Sequence, residues 1–299
     1  MFRVTALDEV SSTNSVVKHA IEEGEAEGFA VCARRQTGGY GRQGRTWSSP
    51  EGGLYLSILL RPSVPSAKLP TLSLVTALAV RSAIAALLPE KAGASIQVKW
   101  PNDLVVSTAC QPLETADAAR RSHVLSCRYA LCPHDPKAAQ LRNAPIWGAR
   151  TPLADPSQKP PFRKVCGISL EAHAGGVCVG IGVNVIRASA EDEEGMGGKN
   201  VPAYLEDLGY QGSIGALSQD VLREFEPCYA LWQREGFAAF AEEYERHAAL
   251  IGENVRILNQ LGAVQAEGCA EGVDALGRLL LRTRHGSLVP VGSGEAHVA

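Results

Sequence analysis

The sequence lacks a long uninterrupted apolar run. Its longest, Leu72 to Leu88, is broken by Arg81 and Ser82 and falls short of the roughly 20 apolar residues that span a bilayer. The start of the chain lacks the basic region and apolar core of a secretion signal, because Met1 to Thr5 leads straight to acidic Asp8 and Glu9. Neither sign of charge is in excess: 29 Lys and Arg face 32 Asp and Glu, for a net charge of -3. Such a chain has no global attraction for nucleic acid or anionic membrane, so a basic site has to be local. Cysteines are sparse, 8 in 299 residues, and give no disulfide framework. Cys32, Cys166 and Cys178 sit in apolar runs, where a buried free thiol is the ordinary outcome. These absences lead to the expectation of a soluble, cytoplasmic protein in a reducing compartment.

What is present is a globular balance, 45% hydrophobic and 20% charged, which excludes a disordered tail, a coiled coil and a collagen-like chain. Ser11-Ser12-Thr13-Asn14 offers capping hydroxyls ahead of Val16, Val17, Ala20 and Ile21 at helical spacing. Strands are expected at 29–33, 54–60, 96–100, 165–171 and 177–186, with His173-Ala174-Gly175-Gly176 as a hairpin connection. Helices are expected over 69–88 and over 215–250, the second interrupted near Pro227 and Gly236. From about Gly252, short strands joined by glycine turns indicate a small all-β appendage. Between Val106 and Arg163 periodicity fails, and eight of the 17 prolines gather there; so long a connection is read as an insert. Cys110, His123, Cys127, Cys132 and His134 fall in it without a zinc-site spacing.

Two strings carry candidate chemistry. Gln36-Thr37-Gly38-Gly39-Tyr40-Gly41-Arg42-Gln43-Gly44-Arg45-Thr46-Trp47 joins glycines, which present bare amides to an anion, to arginines that grip phosphate oxygens. It is neither a P-loop, for want of a following Lys-Ser/Thr, nor a dinucleotide fingerprint, for want of a helix opening behind it. A solvated hairpin remains the plain alternative. Lys99-Trp100-Pro101-Asn102-Asp103 presents an amide and a carboxylate at a strand end, or else forms only a turn.

Taken in order with Ser11-Ser12-Thr13-Asn14, Lys164-Val165-Cys166-Gly167-Ile168 and Gly180-Ile181-Gly182-Val183-Asn184, these strings resemble the catalytic region of biotin protein ligases. The resemblance spans most of residues 8–186, and the terminal β segment is similar to the family's small SH3-like domain. It implies an α+β fold, with a mixed, largely antiparallel sheet flanked by helices and a C-terminal SH3-like barrel. The expected organisation is a catalytic domain over 1–250, with the Pro-rich insert at about 107–162, and an SH3-like domain over 251–299. The implied reaction is ATP- and Mg2+-dependent activation of biotin to biotinyl-5'-AMP, followed by transfer to a lysine of a biotin carboxyl carrier domain. A biotinyl-adenylate sensor and a lipoate-type acyl ligase are the competing readings.

By motif, the resemblance makes Lys164, Arg42 and Arg45 catalytic. Ser12, Thr13, Asn14, Gln36, Gly39, Tyr40, Gly167, Gly180 and Gly182 would bind biotin. Arg42, Trp47, Asn102, Lys164 and Asn184 would bind ATP or the adenylate, with Trp47 beside the adenine, and Asp103 would hold the metal. Tyr40 stands where many family members have arginine. The resemblance begins at about residue 8, which leaves no room for a DNA-binding helix-turn-helix, so neither DNA nor membrane is expected as a partner. Pairing of the sheet in a homodimer is compatible with the family.

Overall fold

The computed structural model describes residues 2–107, 162–187 and 201–299. The insert expected at 107–162, its cysteines and its histidines lie outside these residues apart from the two ends. Seven strands form the main sheet: β1 (Arg3–Val10), β2 (Phe29–Gln36), β3 (Gly53–Leu60), β4 (Ile96–Lys99), β5 (Asp103–Ser107), β6 (Phe162–His173) and β7 (Gly176–Asn184). Their order is β1-β2-β3-β7-β6-β5-β4. Among the described pairs of strands, β1 with β2 is parallel and the rest are antiparallel. That is the mixed, largely antiparallel sheet expected. Ser107 pairs with Phe162, so the chain leaves β5 and re-enters β6 at neighbouring points.

Strand β3 is buried along its whole length, and its alternation sorts the two faces of the sheet. Leu54, Leu56, Ile58 and Leu60 join the main core, together with the inner faces of α2 (Pro70–Ala86) and α4 (Ile214–Glu235). Leu59 faces the other way, with Val17 and Ile21 of α1 (Thr13–Glu22), Val31 and Cys178 in a small second cluster. Helix α2 is buried on nearly every side, as its all-round apolarity predicts. A short α3 (Glu90–Ala94) leads into β4.

Helix α4 runs unbroken through Pro227, against the interruption expected there. Its inner stripe, Leu217, Val221, Phe225, Tyr229 and Trp232, is buried, whereas Pro227 and Arg223 are exposed. The carbonyl that a proline frees four residues back therefore faces water, and the packed stripe holds the helix together. The break comes at Gly236, with φ 73°. After α5 (Ala241–His247) comes an antiparallel sheet of β8 (Asn254–Leu258), β9 (Val264–Val273), β10 (Leu279–Arg282), β11 (Leu288–Val291) and β12 (Glu295–Val298), in the order β11-β10-β9-β8-β12. This is the terminal all-β unit that the glycine turns announce. Val255, Ile257, Leu279, Leu281 and Ala296 of this sheet belong to the same core as the main sheet. Strands β1, β5, β11 and β12 have no counterpart in the sequence reading.

Candidate active site

The face of the sheet that carries α1 also carries a cavity of about 610 Å³. Alternation brings Ser57 of β3, Gly180 and Gly182 of β7, Gly167, Ser169 and Glu171 of β6, and Lys99 of β4 to this side, while their neighbours in sequence fill the core. Lys164 and Gly167 would fall on opposite faces of a regular strand. They share one because β6 bulges: Leu104 pairs with Cys166 but Val105 with Lys164, leaving Val165 as an extra residue. The bulge aims the Lys164 ammonium into the cavity.

One end of the cavity is a neutral polar network. The backbone N–H of Thr13 donates to Gln36 Oε1 at 2.8 Å, and Gln36 Nε2 donates to Ser49 Oγ at 2.9 Å. Ser57 Oγ lies 2.7 Å from Thr13 Oγ1 and 2.6 Å from Asn14 Oδ1. The amide oxygen of Asn14 can only accept, so the Ser57 proton goes to it; the Thr13 hydroxyl then has Ser57 Oγ and Gln36 Oε1, 3.1 Å away, as acceptors. Asn14 Nδ2 donates to Ser169 Oγ at 2.9 Å and Glu171 Oε1 at 3.0 Å. Ser12 is buried at the N-terminal end of α1, and its hydroxyl does not cap the helix. Tyr40 closes this end: its hydroxyl donates to Glu171 Oε2 at 3.4 Å, and Lys18 lies over its ring. Burial raises the Tyr40 pKa against the pull of Lys18, so the phenol stays neutral and keeps its proton to donate.

The other end is cationic. Lys164 Nζ lies 2.7 Å from Asp103 Oδ1, with both side chains 17% exposed. The two form a close, half-buried ion pair. The same ammonium sits 4.9 Å from the Trp47 ring centre. Trp47 Nε1 is buried without an acceptor. Arg42 Nη1 donates to Asn102 Oδ1 at 3.1 Å, and Asn102 Nδ2 donates to the carbonyl of Ile168 at 2.5 Å. Burial lowers the Arg42 pKa, with Arg45 pushing the same way and Asp103 and Glu295 opposing. Asn184 Nδ2 donates to the Lys164 carbonyl at 3.0 Å. Arg45 pairs with Glu295 of β12 at 3.1 Å, which ties the glycine loop to the terminal sheet.

All but one of the residues singled out in the sequence line this cavity: Ser12, Thr13, Asn14, Gln36, Tyr40, Arg42, Arg45, Trp47, Asn102, Asp103, Lys164, Gly167, Gly180, Gly182 and Asn184. Gly39 does not line it. A Cβ there would approach the Trp47 carbonyl to 2.6 Å and Gln36 Nε2 to 3.1 Å, so Gly39 serves the fold of the loop. Asp103 opens β5 instead of closing the strand before it; Trp100 to Asn102 form the turn, and the Trp100–Pro101 bond is cis. Trp47 lies across Gly167 and Gly182, the residues expected at biotin, which puts the indole between the polar and cationic ends. Lys99, Ser169, Ser57, Glu171 and Glu295 escaped the sequence reading as site residues. Ser57 left one usable signal, the one small polar side chain in the apolar run 54–60.

With this geometry in place, the relatives of the chain can be compared with it. The biotin/lipoate A/B protein ligase family model matches residues 6–111, and the biotin protein ligase C-terminal domain model matches residues 250–297. The bifunctional ligase/repressor BirA of Bacillus subtilis is 27% identical over 286 residues, covering 93% of this chain and 69% of that protein. The biotin–[acetyl-CoA-carboxylase] ligase of Paracoccus denitrificans is 28% identical over 263 residues, covering 84% of this chain and 83% of that protein. The biotin protein ligase of Aquifex aeolicus in complex with biotin and ATP superposes with a TM-score of 0.68 over 100% of this chain and 99% of that one, at 24% identity. The fold is therefore that of these ligases, with an SH3-like terminal sheet. The chain thus carries a biotin/lipoate ligase catalytic domain and a biotin protein ligase C-terminal domain.

Proposed function

We infer that the protein is a biotin protein ligase that activates biotin with ATP and transfers it to a lysine of a carboxyl carrier domain. One observation carries this reading: a single cavity joins a neutral hydrogen-bonding end, built on Thr13, Asn14, Gln36 and Ser57, to a cation cluster, with an indole between them. Biotin has that polarity, a neutral ureido ring on an apolar chain that ends in a carboxylate. The domain limits, 1–250 and 251–299, are part of the proposal.

In the first step a carboxylate oxygen of biotin forms a bond to the α-phosphorus of ATP. The bond from that phosphorus to the bridging oxygen breaks, and its electron pair leaves with pyrophosphate. Two anions must meet, so the barrier is mainly electrostatic and positional. Lys164 exchanges Asp103 for the carboxylate and α-phosphate oxygens, while Arg42 and Arg45 order the glycine loop over them. Trp47 supplies an apolar wall between the two ends. In the second step the carrier amine attacks the acyl carbon, AMP leaves, and the amine loses a proton to solvent.

Mg2+ bound to the triphosphate would draw off part of its charge. Asp103 would hold that cation through its carboxylate, which lines the cavity and, among the described residues, is paired only with Lys164 until the ammonium turns to the substrate. Among the described residues no group of three or more His, Cys, Asp or Glu side chains is placed to hold an ion alone. A cation held by nucleotide oxygens, water and one carboxylate suits magnesium. Among the described residues, no helix is long and apolar enough to cross a membrane.

The test mixes the protein with biotin, ATP, Mg2+ and a biotin carrier domain, following pyrophosphate release and carrier mass. Pyrophosphate with a biotin-sized mass gain is expected. Pyrophosphate without transfer would favour the sensor reading. Turnover with lipoate alone would replace the substrate.

A further inference from the structure

The reaction proposed above uses its charges at the cationic end and leaves a carboxylate at the neutral end without a part. Glu171 does not line the cavity, yet it takes three donors. Its Oε1 accepts from Asn14 Nδ2 at 3.0 Å, and its Oε2 accepts from Lys18 Nζ at 3.0 Å and from the Tyr40 hydroxyl at 3.4 Å. Asn14 and Lys18 are one helical turn apart on α1, and Ser169 and Glu171 are alternate residues of β6, so the helix lays its polar stripe on one face of the strand.

A carboxylate accepts and cannot donate, so it turns the Asn14 amide one way only. Nδ2 gives its two protons to Glu171 and Ser169, while Oδ1 accepts from Ser57 on the far side. The amide lies over Gly180, where a Cβ would collide with both Asn14 and Ser169. Ser169 Oγ therefore receives a hydrogen bond from Asn14, and its own proton has no acceptor among the described residues. With the amide reversed, Asn14 Oδ1 would take that proton. Ser169 is 8% exposed and lines the cavity, so the proton it keeps is available to whatever fills the neutral end. Along β6 the order is Lys164, Gly167 beneath the Trp47 ring, then Ser169. An acid with its carboxylate at Lys164 and its chain along the indole brings its ring to Ser169.

We propose that the Ser169 hydroxyl donates to the ring carbonyl oxygen of biotin, and that Glu171 is the positioning residue that keeps this proton free by fixing the Asn14 amide. This rests on the ligase reading and gives it a basis for selection. The ureido ring of biotin carries an oxygen that accepts the bond, whereas the dithiolane ring of lipoate offers only sulfur, a weak acceptor. A ring without that oxygen leaves the hydroxyl shut away from water and unpaired, which counts against it.

The test follows ATP-dependent pyrophosphate release by Ser169→Ala, Glu171→Gln and Lys18→Met, with biotin and with an analogue whose ring oxygen is replaced by sulfur. Ser169→Ala should raise the KM for biotin about tenfold, the worth of one hydrogen bond in a closed site. Its kcat should stay within about twofold, because the reacting carboxylate lies at the other end, and so should its KM for the thio analogue. In Glu171→Gln the Lys18 ammonium claims the new amide oxygen, which turns the new amide N–H groups to Asn14 and reverses it. The KM for biotin should again rise about tenfold, and adding Ser169→Ala should raise it no further. Lys18→Met leaves a carboxylate beside Asn14, so its KM should stay within about twofold of wild type. An unchanged KM for biotin in Ser169→Ala, or an equal rise for biotin and the thio analogue, would overturn the contact. Additive effects in the double variant, a Glu171→Gln that fails to fold, or a Lys18→Met as impaired as Glu171→Gln would overturn the positioning role and make Glu171 a strut between α1 and β6. A wild-type protein that releases no pyrophosphate with biotin would overturn the ligase reading and this proposal with it.

Discussion

A Cβ added at Gly182 would stand 2.9 Å from Trp47 Nε1, and one at Gly167 2.9 Å from Cζ3 of the same ring. Both are glycine because the indole lies against β6 and β7, where no side chain fits beneath it. Sequence reading found these glycines through their motif and, by resemblance, assigned them to biotin. In the structure much of the space over them belongs to Trp47, whose partners come from elements far apart in the chain. Gly182→Ala should therefore tilt the ring and leave the core intact. A KM for biotin raised about tenfold is expected, equivalent to about 1.4 kcal/mol of binding, with the thermal midpoint within about 3 °C of wild type. Unchanged biotin kinetics would mean that the position of the indole does not matter to the pocket.

Elements were legible where a continuous apolar run was bounded by turn residues, as in α2 and β3, and less so where two effects competed. The bulge in β6 left no mark in sequence, because Val165 and Cys166 are both apolar and both buried; only the register with β5 shows that one is extra. Pro227 misled in the opposite sense, since its breaking effect is local and the buried stripe of α4 outweighs it. The β6–β7 hairpin was legible from its glycines, and it carries a removable cost. Ala174 has φ 44° and Gly175 has φ 78°, a two-residue turn in which both positions are left-handed. Asn-Gly suits such a turn better than Ala-Gly. Ala174→Asn should stabilise the protein by about 0.5–1 kcal/mol, read as a higher urea midpoint at unchanged slope. A lower midpoint would show that the alanine methyl does something the backbone angles do not reveal.

At the scale of the molecule, the terminal sheet is legible as an all-β unit but not as part of the site. Leu258 to Gln260 and Gly294 to Ala296 line the cavity, yet nothing in their local sequence speaks of a ligand. They arrive there because the two sheets share a core, and because Trp100 Nε1 donates to the Gly277 carbonyl at 2.9 Å across the junction. The Arg45–Glu295 pair crosses the same junction at the mouth of the cavity, with 51% and 21% of the two side chains exposed. A pair so open to water adds at most about 1 kcal/mol to folding, so Glu295→Ala should melt close to wild type. Its effect belongs instead to the glycine loop, which the pair anchors over the adenylate. The dissociation rate of biotinyl-adenylate should rise about three- to tenfold in Glu295→Ala, a loss of about 1 kcal/mol in the held state. Salt separates this from a change of shape: screening weakens the exposed pair, so the wild-type off-rate should climb with ionic strength while that of the variant, already without the pair, climbs less. Equal salt slopes in the two proteins would mean that Arg45 holds the loop without help from the terminal sheet.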